Sequence, residues 1–322
     1  MKVIFRRNDM QDISYRRTTM RLGLTMLIML VLFYATDWIA DVVCDIMLFH
    51  ADIATDAVVR ELLDSAAYLL SFMLPVLFLR IMTPASERGV LPMSPRLSRR
   101  LWLLLPAGLS VIYTLATANA VLLGWLGLSG SPSELHWYAG MELYEGVLLF
   151  LASVLVPAFC EEFLFRGAVF SALLPYGKTT AVLGSALLFG LMHQSADQWL
   201  YTTAAGVVLA WLVLESGSIW GSVLLHMFNN LFAIIQSILY EQMGPTAILW
   251  ICVLELLVIG GGLLCIVYLL THGSHDRNVW TGRTEQPSRP IKGFFTLPMA
   301  VYAVLCVGQM ILMIVLTKRF GG

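Results

Sequence analysis

The feature that most limits what this chain can become is the length and recurrence of its apolar runs. Between Phe294 and Thr317 there is no charged residue, and between Ala247 and Thr271 there is one, Glu255. A helix needs about 20 such residues to cross the hydrocarbon core of a bilayer. Comparable runs recur near 22–48, 58–82, 101–128, 144–173, 179–195, 199–215, 218–240, 246–271 and 294–317. In lipid, backbone N–H and C=O groups must be paired within the segment, so runs of this kind become helices. The expected fold is all-α: a polytopic integral membrane bundle of about 8–9 transmembrane helices. Composition agrees. Of 322 residues, 58% are hydrophobic and 13% charged, and the mean hydropathy is +0.79, too apolar for a soluble domain. The bilayer is the implied partner, and no nucleic-acid partner is expected.

The basic residues are segregated. Lys2, Arg6, Arg7, Arg16, Arg17 and Arg21 precede the first span. Arg80, Arg88, Arg96, Arg99 and Arg100 follow the second, Lys178 follows the fourth, and Arg277, Arg283, Arg289 and Lys292 fall in the 272–293 loop. With nine spans all of these lie on one side, opposite Arg60, Lys318 and Arg319. Lysine and arginine collect on the cytoplasmic side, so the N-terminus is expected there, in a bacterial cytoplasmic membrane. The long first run after a basic leader is not read as a cleavable signal. The outer loop after the third span carries Trp137 and Tyr138, which suit an interfacial aromatic belt. Cys44, Cys160, Cys252, Cys265 and Cys306 all sit in apolar segments with no CxxC pair, which points to neither a disulfide framework nor a zinc knuckle.

Ionisable residues inside a membrane are costly and each asks for an explanation. Asp37, Asp41 and Asp45 share one helix face near the outer boundary, where Arg60 can pair with them. Glu255 stands alone in the eighth span, open to a packing or a cavity role. His272 and His275 read as solvated loop histidines. One group is denser and ordered: Glu161, Glu162 and Arg166 in "EEFLFR", His193 in "FGLMH", and His226 and Asn230 in "HMFNN". Adjacent helical residues point about 100° apart. Arg166, four residues after Glu162, pairs with it in the favoured order, which leaves Glu161 facing elsewhere.

Counting from Tyr176, Glu161 lies 15 residues back and His193 17 residues on. At 1.5 Å per residue both are roughly 22–26 Å from the turn, level across a helical hairpin. His226 and Asn230 enter roughly 12–18 Å from the next turn on that side. Phe189 shares a face with His193 and can wall it. Three helices thus offer a carboxylate, two imidazoles and an amide to one interior cavity. Glu161 can take a proton from water, a histidine can return one, and histidine with asparagine can donate to an oxyanion. Cys160 precedes Glu161 but points to another face, away from a nucleophile's position. A zinc site built from Glu161, His193 and His226 is the rival to a metal-free water activated by glutamate.

These three motifs, EExxxR, FxxxH and HxxxN in order, resemble those of the CPBP family of intramembrane proteases, also called the Abi or CAAX-protease family. The resemblance covers about residues 145–240 and implies that Glu161 and His193 activate the water. It implies further that His226 and Asn230 hold the oxyanion, and that Glu162 and Arg166 support the first motif. The family is described as both glutamic-type and metallo-type, so no cofactor is the preferred expectation and Zn2+ the alternative. The implied organisation is a leader with three helices (1–140), a CPBP-like catalytic core (141–242) and C-terminal helices with a basic loop (243–322). The implied activity is endoproteolysis of a membrane-associated peptide or protein; the shared side of the two turns gives the expectation of a cavity open toward the cytoplasm and a substrate near the cytoplasmic leaflet. A silent immunity or scaffold protein on the same fold, and a proton-coupled transporter, are the competing readings.

Overall fold

A computed structural model describes residues 7–47, 53–85, 87, 92–94, 99–126, 142–272 and 293–320. Among these residues the chain is helical: α1 (Arg7–Met47), α2 (Ile53–Met82) and α3 (Leu101–Trp125), α4 (Leu143–Tyr176), α5 (Lys178–Met192), α6 (Ala196–Ser216) and α7 (Ile219–Met243), α8 (Ala247–His272) and α9 (Leu297–Phe320). Among the described residues seven stretches are long and apolar enough to cross a membrane. One of these, Ile219–His272, is α7 and α8 joined by a turn at Gly244–Thr246. The shorter α5 is apolar as well. Trp137, Tyr138, His275 and the basic residues Lys2, Arg6, Arg88, Arg96, Arg277, Arg283, Arg289 and Lys292 lie outside the described residues.

Helix α1 begins at Arg7, well before the apolar run at Leu22. Its 41 residues reach ~61 Å at 1.5 Å each, twice a hydrocarbon core of about 30 Å. The extension is useful because it carries contacts. Tyr176 Oη lies 2.9 Å from both Ser14 Oγ and Thr18 Oγ1, and Tyr15 packs on the Tyr176 ring. Thr19 donates to the Gly293 carbonyl. At the same end Arg21 pairs with Glu87, and the Ile219 N–H donates to the Pro92 carbonyl. The N-terminal helix therefore straps the α4–α5 turn, and the start of α7 abuts the segment before α3.

Close helix approach is made at small residues, as membrane packing requires. A Cβ at Gly23 would sit 2.5 Å from the Met299 backbone nitrogen, so only glycine lets α9 lie this near α1. Glu255 and Arg60 find partners on neighbouring helices. Glu255 accepts from Gln236 Nε2 at 2.9 Å and Thr117 Oγ1 at 3.4 Å. Arg60 reaches Asp45 at 3.1 Å and Asp41 at 3.8 Å.

Candidate active site

The site begins with an irregular stretch of α4. Two segments of wider π-type turns, Leu151–Leu155 and Phe163–Val169, flank the α-helical Val156–Glu162. Such insertions re-aim side chains and occur often at functional positions. Here both glutamates end up buried, with different partners.

Glu162 is fully enclosed and held through one oxygen. Its Oε1 accepts from Arg166 Nη1 at 2.7 Å and is 3.0 Å from His226 Nδ1. Arg166 is itself inaccessible to solvent; its Nη2 donates to the Gly206 carbonyl at 3.2 Å, and its guanidinium carbon sits 4.3 Å from the Phe189 ring centre. This is the arrangement a buried ion pair needs, since desolvation is offset only with good geometry and further hydrogen bonds.

Glu161 is different. Its Oε1 accepts from Tyr68 Oη at 2.5 Å. Its Oε2 is buried, has no hydrogen-bond partner, and lies 3.9 Å from His226 Nε2. Glu161 lines a cavity of about 250 Å3 shared with Phe189, His193, His226, Asn229 and Asn230. The sequence-derived set is therefore gathered around one space. His193 ends α5, with Nδ1 held 2.9 Å from the Phe189 carbonyl and its Nε2 left for the cavity. Asn230 Nδ2 donates to the Ser153 carbonyl at 3.4 Å, a long bond, and Asn229 Nδ2 donates to Asn230 Oδ1 at 3.4 Å.

The hydrogen-bond pattern constrains His226. With a carboxylate accepting at Nδ1, that nitrogen carries the hydrogen. Its Nε2 then accepts from a water when the ring is neutral, and donates only when the ring is an imidazolium. Glu161, His193 and His226 are not gathered at metal-ligand spacing: among the described residues no group of three His, Cys, Asp or Glu side chains is. The 3.9 Å between Glu161 and His226 is wider than two ligands of one tetrahedral zinc, each about 2.0–2.2 Å from the metal, would leave.

Residues 143–232 match the family model "Type II CAAX prenyl endopeptidase Rce1-like". This segment is thus similar to the CAAX-protease, or CPBP, family. The Bacillus subtilis (strain 168) protein named "Putative membrane peptidase YdiL" is 33% identical over 144 residues, 41% of this chain and 58% of that protein. The chain thus spans little more than half of that relative's length. No solved structure matches.

Two contributors lie outside the Rce1-like segment and carry no motif. Tyr68 on α2 reaches Glu161 from 93 residues away. Tyr34 on α1 donates to Gln194 Oε1 at 2.7 Å, and Gln194, directly after His193, is the one non-glycine residue with positive φ among the described residues (50°). That bond fixes an uncommon left-handed residue and with it the end of α5. Neither tyrosine differs, in sequence, from any aromatic of an apolar helix.

Proposed function

We propose that the chain is an intramembrane endopeptidase that hydrolyses a peptide bond of a membrane-associated substrate, with residues 141–242 as its hydrolytic unit. The supporting observation is the different placing of adjacent carboxylates: Glu162 is tied through one oxygen to Arg166 and His226 and does not line the cavity, whereas Glu161 lines it together with His193, His226 and Asn230. In the reaction, Glu161 Oε2 takes a proton from water as the water oxygen bonds to the scissile carbonyl carbon. His193 Nε2 accepts the water's other hydrogen and so aims its lone pair. The carbonyl electron pair moves onto oxygen, which accepts from Asn230 Nδ2 and, when the ring is doubly protonated, from His226 Nε2. Collapse breaks the C–N bond, and the proton held by Glu161 passes to the departing amine. The match of residues 143–232 to a protease family model supports this reading, as does the relative's name. No step is routed through a metal.

The test is incubation of the purified full-length chain with a peptide library, scoring new termini by mass spectrometry. Glu161→Gln and His193→Ala are each expected to lower turnover by about 10²- to 10⁴-fold, the usual worth of a positioned proton-transfer group. Cleavage that survives both substitutions rejects the mechanism. Treatment with a zinc chelator is expected to leave turnover intact; loss that zinc restores would put a metal in the place assigned to glutamate alone.

A further inference from the structure

The cavity has a direction, and three helices define it. One end of the bundle is tied together by the Tyr15–Tyr176 contact, the Thr19–Gly293 bond and the Ile219–Pro92 bond. At this end lie Arg16, Arg17, Arg21, Arg80, Arg99, Arg100 and Lys178. Helix α7 leaves it, whereas α4 and α6 run back toward it.

The side chains lining the cavity are displaced the same way on all three. On α7 they extend from His226 to Ser237, on α6 from Leu209 back to Gln198, and on α4 from Glu161 back to Ser153. At 1.5 Å per residue these are displacements of roughly 16, 16 and 12 Å, each away from the basic end. Burial follows the same axis. Below His226 the floor is closed: Ile219, Ser222 and Leu225 on α7, Leu212 and Val213 on α6, and Phe165 and Phe170 on α4 are all buried. Beyond His226 the lining opens. Asn229, Asn230, Ser237, Gln198 and Tyr201 are partly exposed, and Ala233 is exposed.

We infer that the mouth of the site opens at the end opposite the basic residues, so that its substrate is a peptide segment presented on the extracytoplasmic side. This reverses the cytoplasm-facing cavity expected from the sequence. Side follows from charge: lysine and arginine near span ends remain cytoplasmic. Arg60, Lys318 and Arg319 are the basic residues at the far end among those described. The far end also carries Asp41, Asp45, Glu142, Glu145 and Asp197. The mouth itself offers Gln198, Tyr201, Asn229 and Ser237, neutral groups that both donate and accept, which suits the backbone of an extended peptide. The word substrate rests on the hydrolytic reading; the direction of opening does not.

The experiment reads accessibility rather than turnover, so its result stands whether or not the chain cleaves anything. Ser237→Cys, Gln198→Cys and Lys178→Cys are made singly in the full chain. Each is exposed to a charged, membrane-impermeant maleimide in right-side-out and in inverted vesicles. Modification is scored on the individual peptide, so that native Cys252, which is exposed, does not count. The expected result is at least ten-fold faster labelling of the Ser237 and Gln198 positions in right-side-out vesicles, and of the Lys178 position in inverted ones. The opposite pattern overturns the inference. So does failure of both mouth positions to react from either side while they react in the denatured chain.

Discussion

Removing the Arg166 guanidinium gives the sharpest test of how the membrane-buried charges are held. In Arg166→Met, Glu162 keeps His226 but loses the 2.7 Å charge-assisted bond, in a place with no solvent access for either partner. Breaking a buried pair by deleting one member costs about 3–5 kcal/mol, because the survivor is left uncompensated. At about 1.4 kcal/mol per factor of ten, that is roughly two to three and a half powers of ten in the folded-to-unfolded ratio. The double variant Glu162→Gln/Arg166→Met deletes both charges and should recover most of the loss, since replacing a whole buried pair is often neutral. Activity should stay lost in the double variant, because His226 Nδ1 no longer faces a carboxylate. Stability is measured by SDS titration in mixed micelles, followed by the reactivity of the buried thiols Cys160 and Cys306. Turnover is measured on the same samples. A single variant within about 1 kcal/mol of wild type, or a double no better than the single, would refute the assignment of this pair as the compensated charge.

Two further outcomes follow from single contacts. Tyr68→Phe removes the 2.5 Å bond to Glu161; a hydrogen bond to a charged group is worth about 1.5–3 kcal/mol, so kcat should fall roughly 10- to 100-fold with KM unchanged, whereas a change in KM alone would mean that the tyrosine does not position the carboxylate. Gly206→Ala would place a Cβ 2.9 Å from the Ala186 Cα, which should cost about 1–3 kcal/mol as overpacking in the same SDS titration and disturb the carbonyl that Arg166 uses; wild-type stability would mean that the α5–α6 contact is looser than it looks.

The motif helices were legible because helical periodicity carries depth and face together. The i,i+4 spacing placed Glu162 on Arg166, and counts of 15 and 17 residues from Tyr176 put Glu161 and His193 at one level, and both line one cavity. What periodicity cannot carry is a contact between helices distant in sequence. The bond from His226 to Glu162 spans 64 residues, and Glu162 was read only as the partner of Arg166. The role of Tyr68 was invisible for the same reason. The direction of opening inferred above rests on a different property. Counting residues from a turn gives depth, but which end of a cavity is plugged depends on how Leu225, Val213 and Phe165 fill the space between helices. That is a property of packing, not of spacing. The early start of α1 at Arg7 escaped because the expectation followed hydropathy, whereas Ser14, Tyr15 and Thr18 are fixed by polar and ring contacts outside the apolar run.

Phe189 ties these features into one device. Its ring receives the Arg166 guanidinium at 4.3 Å and meets His193 at 5.0 Å and His226 at 5.8 Å, both edge-on. Its carbonyl oxygen pairs with His193 Nδ1. One residue thus touches the buried ion pair and both candidate catalytic imidazoles. That matters because low dielectric strengthens a satisfied polar network and penalises an unsatisfied one. The Glu162–Arg166 pair stays dry and compensated behind the ring. Glu161 stands on the cavity side of the same helix with one oxygen tethered by Tyr68 and one open. Two adjacent glutamates of one membrane helix are thus held differently, Glu162 by Arg166 and His226, and Glu161 by Tyr68 at the cavity wall.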